Sequence, residues 1–202
     1  MGKLIVTEQV TLDWVAQAPG GPDEDRDSGF THGGWQAPLM GQEADDVFEH
    51  VKNMDALLLG RRTYEIFANY WPTAPAEISF TGLLNAVPKY VASRTLTDPT
   101  WHHTTVLQGD VAEAVAKLKE QPGDELNVEG SSQLLQTIHP LVDEYRLWIC
   151  PVYLGSGKRL FAQGSIAGPG QLTKTGAGQL VIQSTTLTFA GGLVINSGAV
   201  LL

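Results

Sequence analysis

Leu57-Leu-Leu-Gly-Arg-Arg-Thr-Tyr-Glu65 reads as a buried apolar strand that ends at Gly60 and passes at once into a helix. Gly60 permits a tight exit from the strand. The free backbone N–H groups of the helix start then turn a positive dipole end toward any anion. Arg61 and Arg62 add fixed positive charge at that point, and Thr63 adds a hydroxyl donor. A capped helix start with two solvated arginines is the plainer reading. In a chain with only 13 lysines and arginines, two adjacent arginines at a helix N-terminus favour an anion site. A second junction of the same design lies at Leu126-Asn-Val-Glu-Gly-Ser-Ser-Gln-Leu-Leu135, with hydroxyls at Ser131 and Ser132. Alone it reads as a serine helix cap. Two such junctions in one sheet are placed to grip the two ends of a long polyphosphate.

Working outward, Lys3–Val10 is a first strand, and Glu43–Asn53 a helix with Ala44, Val47, Phe48 and Val51 on one face. Lys89–Ser93 and Thr104–Leu107 are further strands. Asp110 with Glu113 resembles a capping box before a helix carrying Val111, Val115 and Leu118. Asp143–Tyr153 alternates as a long strand, and Leu180–Phe189 with Leu193–Ile195 reads as a hairpin around Ala190-Gly-Gly192. Strands alternating with helices predict one domain over 1–202, an open α/β sheet that is mostly parallel with an antiparallel C-terminal hairpin. Ligands on such sheets sit at the carboxyl ends of strands. Between the first strand and the first helix, Thr11 to about Met40 is rich in Gly, Pro and Asp, and carries Asp23, Glu24, Asp25 and Asp27. It reads equally as a solvated loop or as a substrate lid, with Phe30 and Trp35 available to pack.

The chain has 202 residues, 13 basic and 22 acidic, for a net charge of −9. That balance repels phosphate backbones and anionic lipid, so neither nucleic acid nor membrane is an expected partner. The single cysteine, Cys150, excludes an internal disulfide and reads as an inert mid-strand thiol. No apolar run is long enough to span a bilayer, and the expected location is the cytoplasm. No metal site is expected: His32, His50, His102, His103 and His139 lack zinc-ligand spacing, and His102-His103 reads as a polar turn. Gly155-Ser-Gly-Lys158 looks like a phosphate loop, but Arg159 replaces the required Ser/Thr and Val152 the first Gly. No G-x-G-x-x-G follows a strand, no G-x-S-x-G exists, and no internal repeat stands out.

Val128-Glu-Gly-Ser-Ser-Gln-Leu-Leu-Gln-Thr-Ile-His-Pro140 and Leu59-Gly-Arg-Arg-Thr-Tyr-Glu65 resemble the two cofactor-binding segments of the dihydrofolate reductase family. The run Asp143-Glu-Tyr-Arg-Leu-Trp-Ile-Cys-Pro-Val-Tyr-Leu-Gly-Ser-Gly-Lys-Arg-Leu-Phe161 is similar to one branch of it. That branch is the reductase half of the bifunctional deaminase/reductase of riboflavin synthesis, with its stand-alone relatives. The resemblance implies a dihydrofolate reductase-like three-layer α/β/α fold and NADPH as cofactor. It assigns Gly60, Arg61 and Thr63, with Arg62 beside them, to the NADPH phosphates. Ser93 and Arg94 fall by the adenosine 2′-phosphate, and Gly130, Ser131 and Ser132 under the pyrophosphate.

Thr11-Leu-Asp-Trp14 resembles the family's Ser-Leu-Asp-Gly and puts Asp13 at the start of a lid over the nicotinamide, as the residue expected to orient substrate. Trp14 stands where that pattern has Gly, and Ser131-Ser132 where it has a Gly pair. Folate-reducing members carry an acid early in the first helix; Glu43, Asp45 and Asp46 crowd that stretch, with no unique match. The implied activity is an NADPH-dependent reduction of a small pyrimidine- or pterin-like heterocycle, with Glu43, Asp45 or Asp46 to supply or relay the proton through a carboxyl raised by burial. The alternative is a non-catalytic nucleotide-binding protein, with Trp14 filling the substrate pocket. A homodimer is expected, because Tyr145, Leu147, Trp148 and Ile149 offer more apolar surface than one sheet edge needs and that branch commonly dimerises through this part.

Overall fold

In the computed structural model, the described backbone covers residues 2–39, 43–161 and six short strands beyond; side chains are described for 2–39 and 47–161. The first strand, β1 (Lys3–Val10), leads through the long loop to α1 (Glu43–Val51). Then follow β2 (Ala56–Gly60), α2 (Arg61–Tyr70), α3 (Ser79–Ala86), β3 (Lys89–Ala92) and β4 (Thr104–Leu107). The main unit ends with α4 (Val111–Lys119), β5 (Glu125–Glu129), α5 (Ser132–Ile138) and β6 (Glu144–Ile149). These six strands lie in the order β6-β1-β5-β2-β3-β4, all parallel.

Central parallel strands are covered on both faces, so they must read as apolar runs rather than alternate. Leu4-Ile-Val6 and Leu57-Leu-Leu59 are fully buried for that reason. Each such side chain contributes roughly 1.5–3 kcal/mol relative to exposure. Alternation along the strands sends Leu4, Val6, Leu58, Leu126 and Val128 to the side covered by α4 and α5. Leu57, Leu59 and Val91 go to the other side, where Val51 of α1, Tyr64 of α2 and Leu84 of α3 meet them. Thus β5 sends its connection to one face, while its neighbours β1 and β2 send theirs to the opposite face. Such a reversal opens a crevice at the carboxyl ends of the strands on either side of β5.

Most elements lie where the sequence puts them, and Asp110 caps α4 by accepting from the Glu113 N–H at 2.9 Å. Three things differ. The reading passed over α3, whose Leu83 and Leu84 turn to the core and which stops at Val87 before Pro88. The strand β6 ends at Ile149, because Pro151 cannot donate to a ladder. The third concerns the end of the chain, where the expected antiparallel hairpin around Ala190-Gly-Gly192 does not form. The strands there are β7 (Ile166–Gly168), β8 (Gln171–Lys174), β9 (Gln179–Val181), β10 (Leu187–Phe189), β11 (Leu193–Ile195) and β12 (Ala199–Leu201). They pair in parallel: β10 on β7, β11 on β8 and β12 on β9, in register with residues 20 or 21 positions earlier. Strands of three or four residues make too few ladder bonds to hold a hairpin alone. Here each is laid on an earlier rung, and β8 in turn extends the main sheet from β6. A near-constant offset of this kind is an internal repeat that composition did not reveal.

Candidate active site

The two strand–turn–helix junctions meet. The backbone N–H of Gly60, at the end of β2, donates to Ser131 Oγ at 2.8 Å. The same hydroxyl lies 3.1 Å from Thr63 Oγ1 and 3.2 Å from the Glu129 carbonyl. Gly130 (φ +58°) and Ser131 (φ +64°) both take left-handed backbone, which folds the turn back on α2. A Cβ at position 130 would come within 3.1 Å of the Thr63 side chain, so a larger residue would push the junctions apart. After β3, Ser93 Oγ accepts from the N–H groups of Thr95 and Leu96 at 3.2 and 2.9 Å. This turn holds Arg94 at the same opening.

A cavity of about 970 Å³ joins these parts. It lies at the upper end of the range for small-molecule sites. Gly60, Arg61, Arg62 and Thr63 line it from β2 and α2, Ser93 and Arg94 from the turn after β3, and Gly130, Ser131 and Ser132 from the turn after β5. All nine positions assigned to the cofactor therefore open onto one space. Glu8 and Gln9 line it at the end of β1, and Ala16 to Gly20, Glu24, Asp25 and Gln36 make its wall from the long loop.

That loop is folded on a core of its own, in which Val15, Ala18, Phe30 and Trp35 are buried. Trp35 Nε1 donates to the Gln17 carbonyl at 2.8 Å. Its acids are tied down as well. Arg62 pairs with Asp25 (3.2 Å) and Asp27 (2.6 Å), and Lys158 with the same two carboxylates (2.6 and 2.9 Å). The Arg62 and Lys158 contacts hold the Asp27 carboxyl down at about 2. Gly155-Ser-Gly-Lys158, which looked like a phosphate loop, supports this arrangement. Gly157 (φ +123°) leaves no room for a Cβ beside Val15 and Phe30, and the Lys158 N–H donates to Gln17 Oε1 at 2.9 Å.

Asp13 does not line the cavity. Its carboxylate accepts from Thr11 Oγ1 (2.7 Å) and from the N–H groups of Leu154 (3.2 Å) and Gly155 (2.9 Å), so it pins the base of the loop to the segment after β6. Burial pushes this carboxyl up, but those three hydrogen bonds outweigh it and hold the group below its ordinary value. Trp14 also turns away from the cavity and packs edge-on against Phe161, centroids 5.4 Å apart, so it does not fill a substrate pocket. The side chains of Glu43, Asp45 and Asp46 lie outside the described residues.

The sequence reading missed two cavity carboxyls, Glu8 and Glu129. Glu8 is 3% exposed and its Oε2 has no hydrogen-bond partner; Glu129 Oε1 is buried and equally unpartnered. Burial pushes Glu129 up to about 8, against a lowering pull from Arg146. Burial raises Glu8 well above the ordinary range too, and the charge of Glu129 adds to it. The signal was present: a glutamate inside Lys3-Leu-Ile-Val-Thr-Glu-Gln-Val10 interrupts a run that is otherwise buried. Among the described residues no group of three or more His, Cys, Asp or Glu is arranged to hold a metal. No helix among them is long and apolar enough to cross a membrane.

The chain matches the RibD C-terminal domain over residues 2–181. It belongs to that family. Among relatives, it is 30% identical over 168 residues to the uncharacterized protein YyaP of Bacillus subtilis (strain 168), covering 79% of this chain and 80% of YyaP. The uncharacterized YwjB of the same organism is 23% identical over 129 residues, covering 63% of this chain and 70% of YwjB. Among solved structures, a Shewanella sp. PV-4 protein provisionally assigned to riboflavin biosynthesis superposes with a TM-score of 0.52 at 20% identity, over 80% of this chain and 84% of that one. The last likeness is one of fold, and it matches the dihydrofolate reductase-like architecture of RibD C-terminal domains: a mostly parallel sheet between helices.

Proposed function

We propose that this RibD C-terminal domain is an NADPH-dependent reductase of a small heterocycle bearing a C=N or C=O bond. The observation that carries the reading is the convergence of both strand–turn–helix junctions and the Arg94 turn on one cavity that continues to the ends of β1 and β5. The residues fit a dinucleotide. The N-terminus of α2, ten residues long, presents backbone donors beside Arg61 and Thr63, and the Gly130 turn allows close approach. Arg94 makes no ion pair among the described residues and would take the adenosine 2′-phosphate. When bound, the cofactor supplies a hydride. The protein's part is to hold donor and acceptor carbons together and exclude water, which the folded loop does by walling the cavity.

The test is affinity. Arg94→Ala should weaken NADPH roughly ten- to hundredfold, the loss of one charge-assisted contact of ~1.5–3 kcal/mol, and leave NADH nearly unchanged. Equal loss for both cofactors, measured by fluorescence titration, would remove Arg94 from the 2′-phosphate site.

A further inference from the structure

Glu129 ends β5, and Glu8 lies two residues before the end of the adjacent strand β1, where the sheet's connections part to opposite faces. Ladder alternation places Glu8 on the α4/α5 side and Glu129, in register with Thr7, on the α1 side. A cavity that touches both therefore wraps around the strand ends. The backbone N–H groups of Gln9 and Gly130 lower the Glu8 carboxyl, but less than burial raises it. Its Oε2 remains buried without a partner. A buried polar atom left unmatched is costly, and Glu8 lines the cavity that a ligand would fill.

The charges around Glu8 favour its neutral form. Glu129 from β5 and Glu24 from the loop are the ionisable groups that act on it, and both are acidic. Across the cavity, Lys158 and Arg62 are already paired with Asp25 and Asp27. Arg146 on β6 acts on Glu129 and is itself held by Glu125 and Glu144 at 2.8 and 2.9 Å. From β6, the residue in register with Glu8 is Leu147, which is apolar. Two buried carboxyls at one site do not both ionise.

We propose that Glu8 is the acid of this site, delivering its proton to the nitrogen of a substrate C=N bond. This rests on the reductase reading above. In the balanced step, a dihydronicotinamide gives a hydride to the carbon and leaves oxidised. The nitrogen takes the Glu8 proton, C=N becomes CH–NH, and Glu8, left as carboxylate, is reprotonated from solvent. Glu129 acts as a positioning residue: the two buried carboxyls do not both ionise, so its presence opposes loss of the Glu8 proton until the substrate nitrogen draws it. The substrate class is accordingly an uncharged cyclic imine rather than an anion, which the acidic lining at Glu24 would repel.

The test uses Glu8→Gln in the full chain, with two readouts. In thermal unfolding without cofactor, the wild type should lose stability as pH rises above the ordinary carboxylate range, since the unfolded chain ionises Glu8 and the folded one does not. The variant should match the wild type near pH 4 and melt higher near pH 8. Identical curves at both pH values would overturn the buried neutral acid. In turnover of a neutral cyclic imine with NADPH, the variant should lose about 10²–10⁴-fold in kcat with NADPH affinity retained. An N-methylated iminium analogue, which needs no proton, should be reduced at similar rates by both proteins. Equal impairment on imine and iminium overturns proton delivery by Glu8. A wild type that binds NADPH but reduces neither compound overturns the reductase reading instead, and the melting curves still decide the state of Glu8.

Discussion

Trp14 (φ +65°) and Ser131 (φ +64°) hold left-handed backbone at the two places where the dihydrofolate reductase pattern has glycine. Each side chain there costs roughly 1 kcal/mol or more against glycine. Each also returns something. Trp14 packs against Phe161, and Ser131 gives its hydroxyl to the Gly60 N–H. For Ser131 the two terms separate cleanly. Ser131→Ala keeps the strain and strands the Gly60 donor, and should destabilise by about 0.5–1.5 kcal/mol. Ser131→Gly loses the same bond but relieves the backbone, and should be at least as stable as Ser131→Ala. Urea unfolding of the three proteins checks the order, and a glycine variant below the alanine one would mean that the turn is unstrained. At this scale the sequence was easy to read where chemistry is local: a glycine and two hydroxyls at strand ends announce their turn. Glu8 was not legible in the same way, since its meaning depends on β5 lying beside β1, a fact set by strand order and not by neighbours in the chain.

The loop between β1 and α1 reads in the sequence equally as a solvated loop or a substrate lid; in the structure it has a core of its own and an ionic latch. Aromatic Phe30 and Trp35 hinted at the core. The latch could not be seen, because Arg62 and Lys158 reach Asp25 and Asp27 from 35 or more positions away. Arg62 is thereby spent on the protein's own carboxylates. A ligand phosphate that wants it must compete with Asp25 and Asp27. Replacing both acids by asparagine should loosen the element without unfolding the sheet. We expect faster amide exchange across 16–36, with β1 and β5 unchanged, in hydrogen-exchange mass spectrometry. Exchange in the loop that is the same in both proteins would mean that Phe30 and Trp35 alone hold it. The latch also has an acid limit. Asp27 sits below its ordinary value, so the stability it lends is full above the ordinary carboxylate range and fades as pH falls toward about 2.

For the whole molecule, the sequence motive for self-association does not survive folding. Tyr145, Leu147 and Trp148 are buried within the chain, at 4%, 1% and 8% exposure, by β1 and the layers around it. The large apolar side chains that stay exposed among the described residues are Leu12, Tyr70 and Tyr153. The Leu12 N–H bonds to the Val152 carbonyl at 2.8 Å, so Leu12 and Tyr153 lie close together. We propose that a homodimer would use this Leu12/Tyr153 surface. We expect light scattering at micromolar protein to give twice the chain mass, reduced to one chain by Tyr153→Lys. A native protein of single-chain mass ends that expectation. The order of strands and helices through β6 was legible because buried parallel strands and amphipathic helices each carry a strong period. Beyond Phe161 it was not, for rungs of three residues are too short to show one.

That stacked tail has an architectural consequence. Among the described residues, each late strand pairs with one about 20 positions earlier, and β8 joins the main sheet on β6. Stability in such an array grows step by step with nearest neighbours. Duplicating a segment of about 20 residues would add one strand spacing of ~4.8 Å at the β11 edge, away from the cavity at the carboxyl ends of β1 and β5. The tail is in this sense a ruler, one whose length evolution or an engineer could set without touching the chemistry.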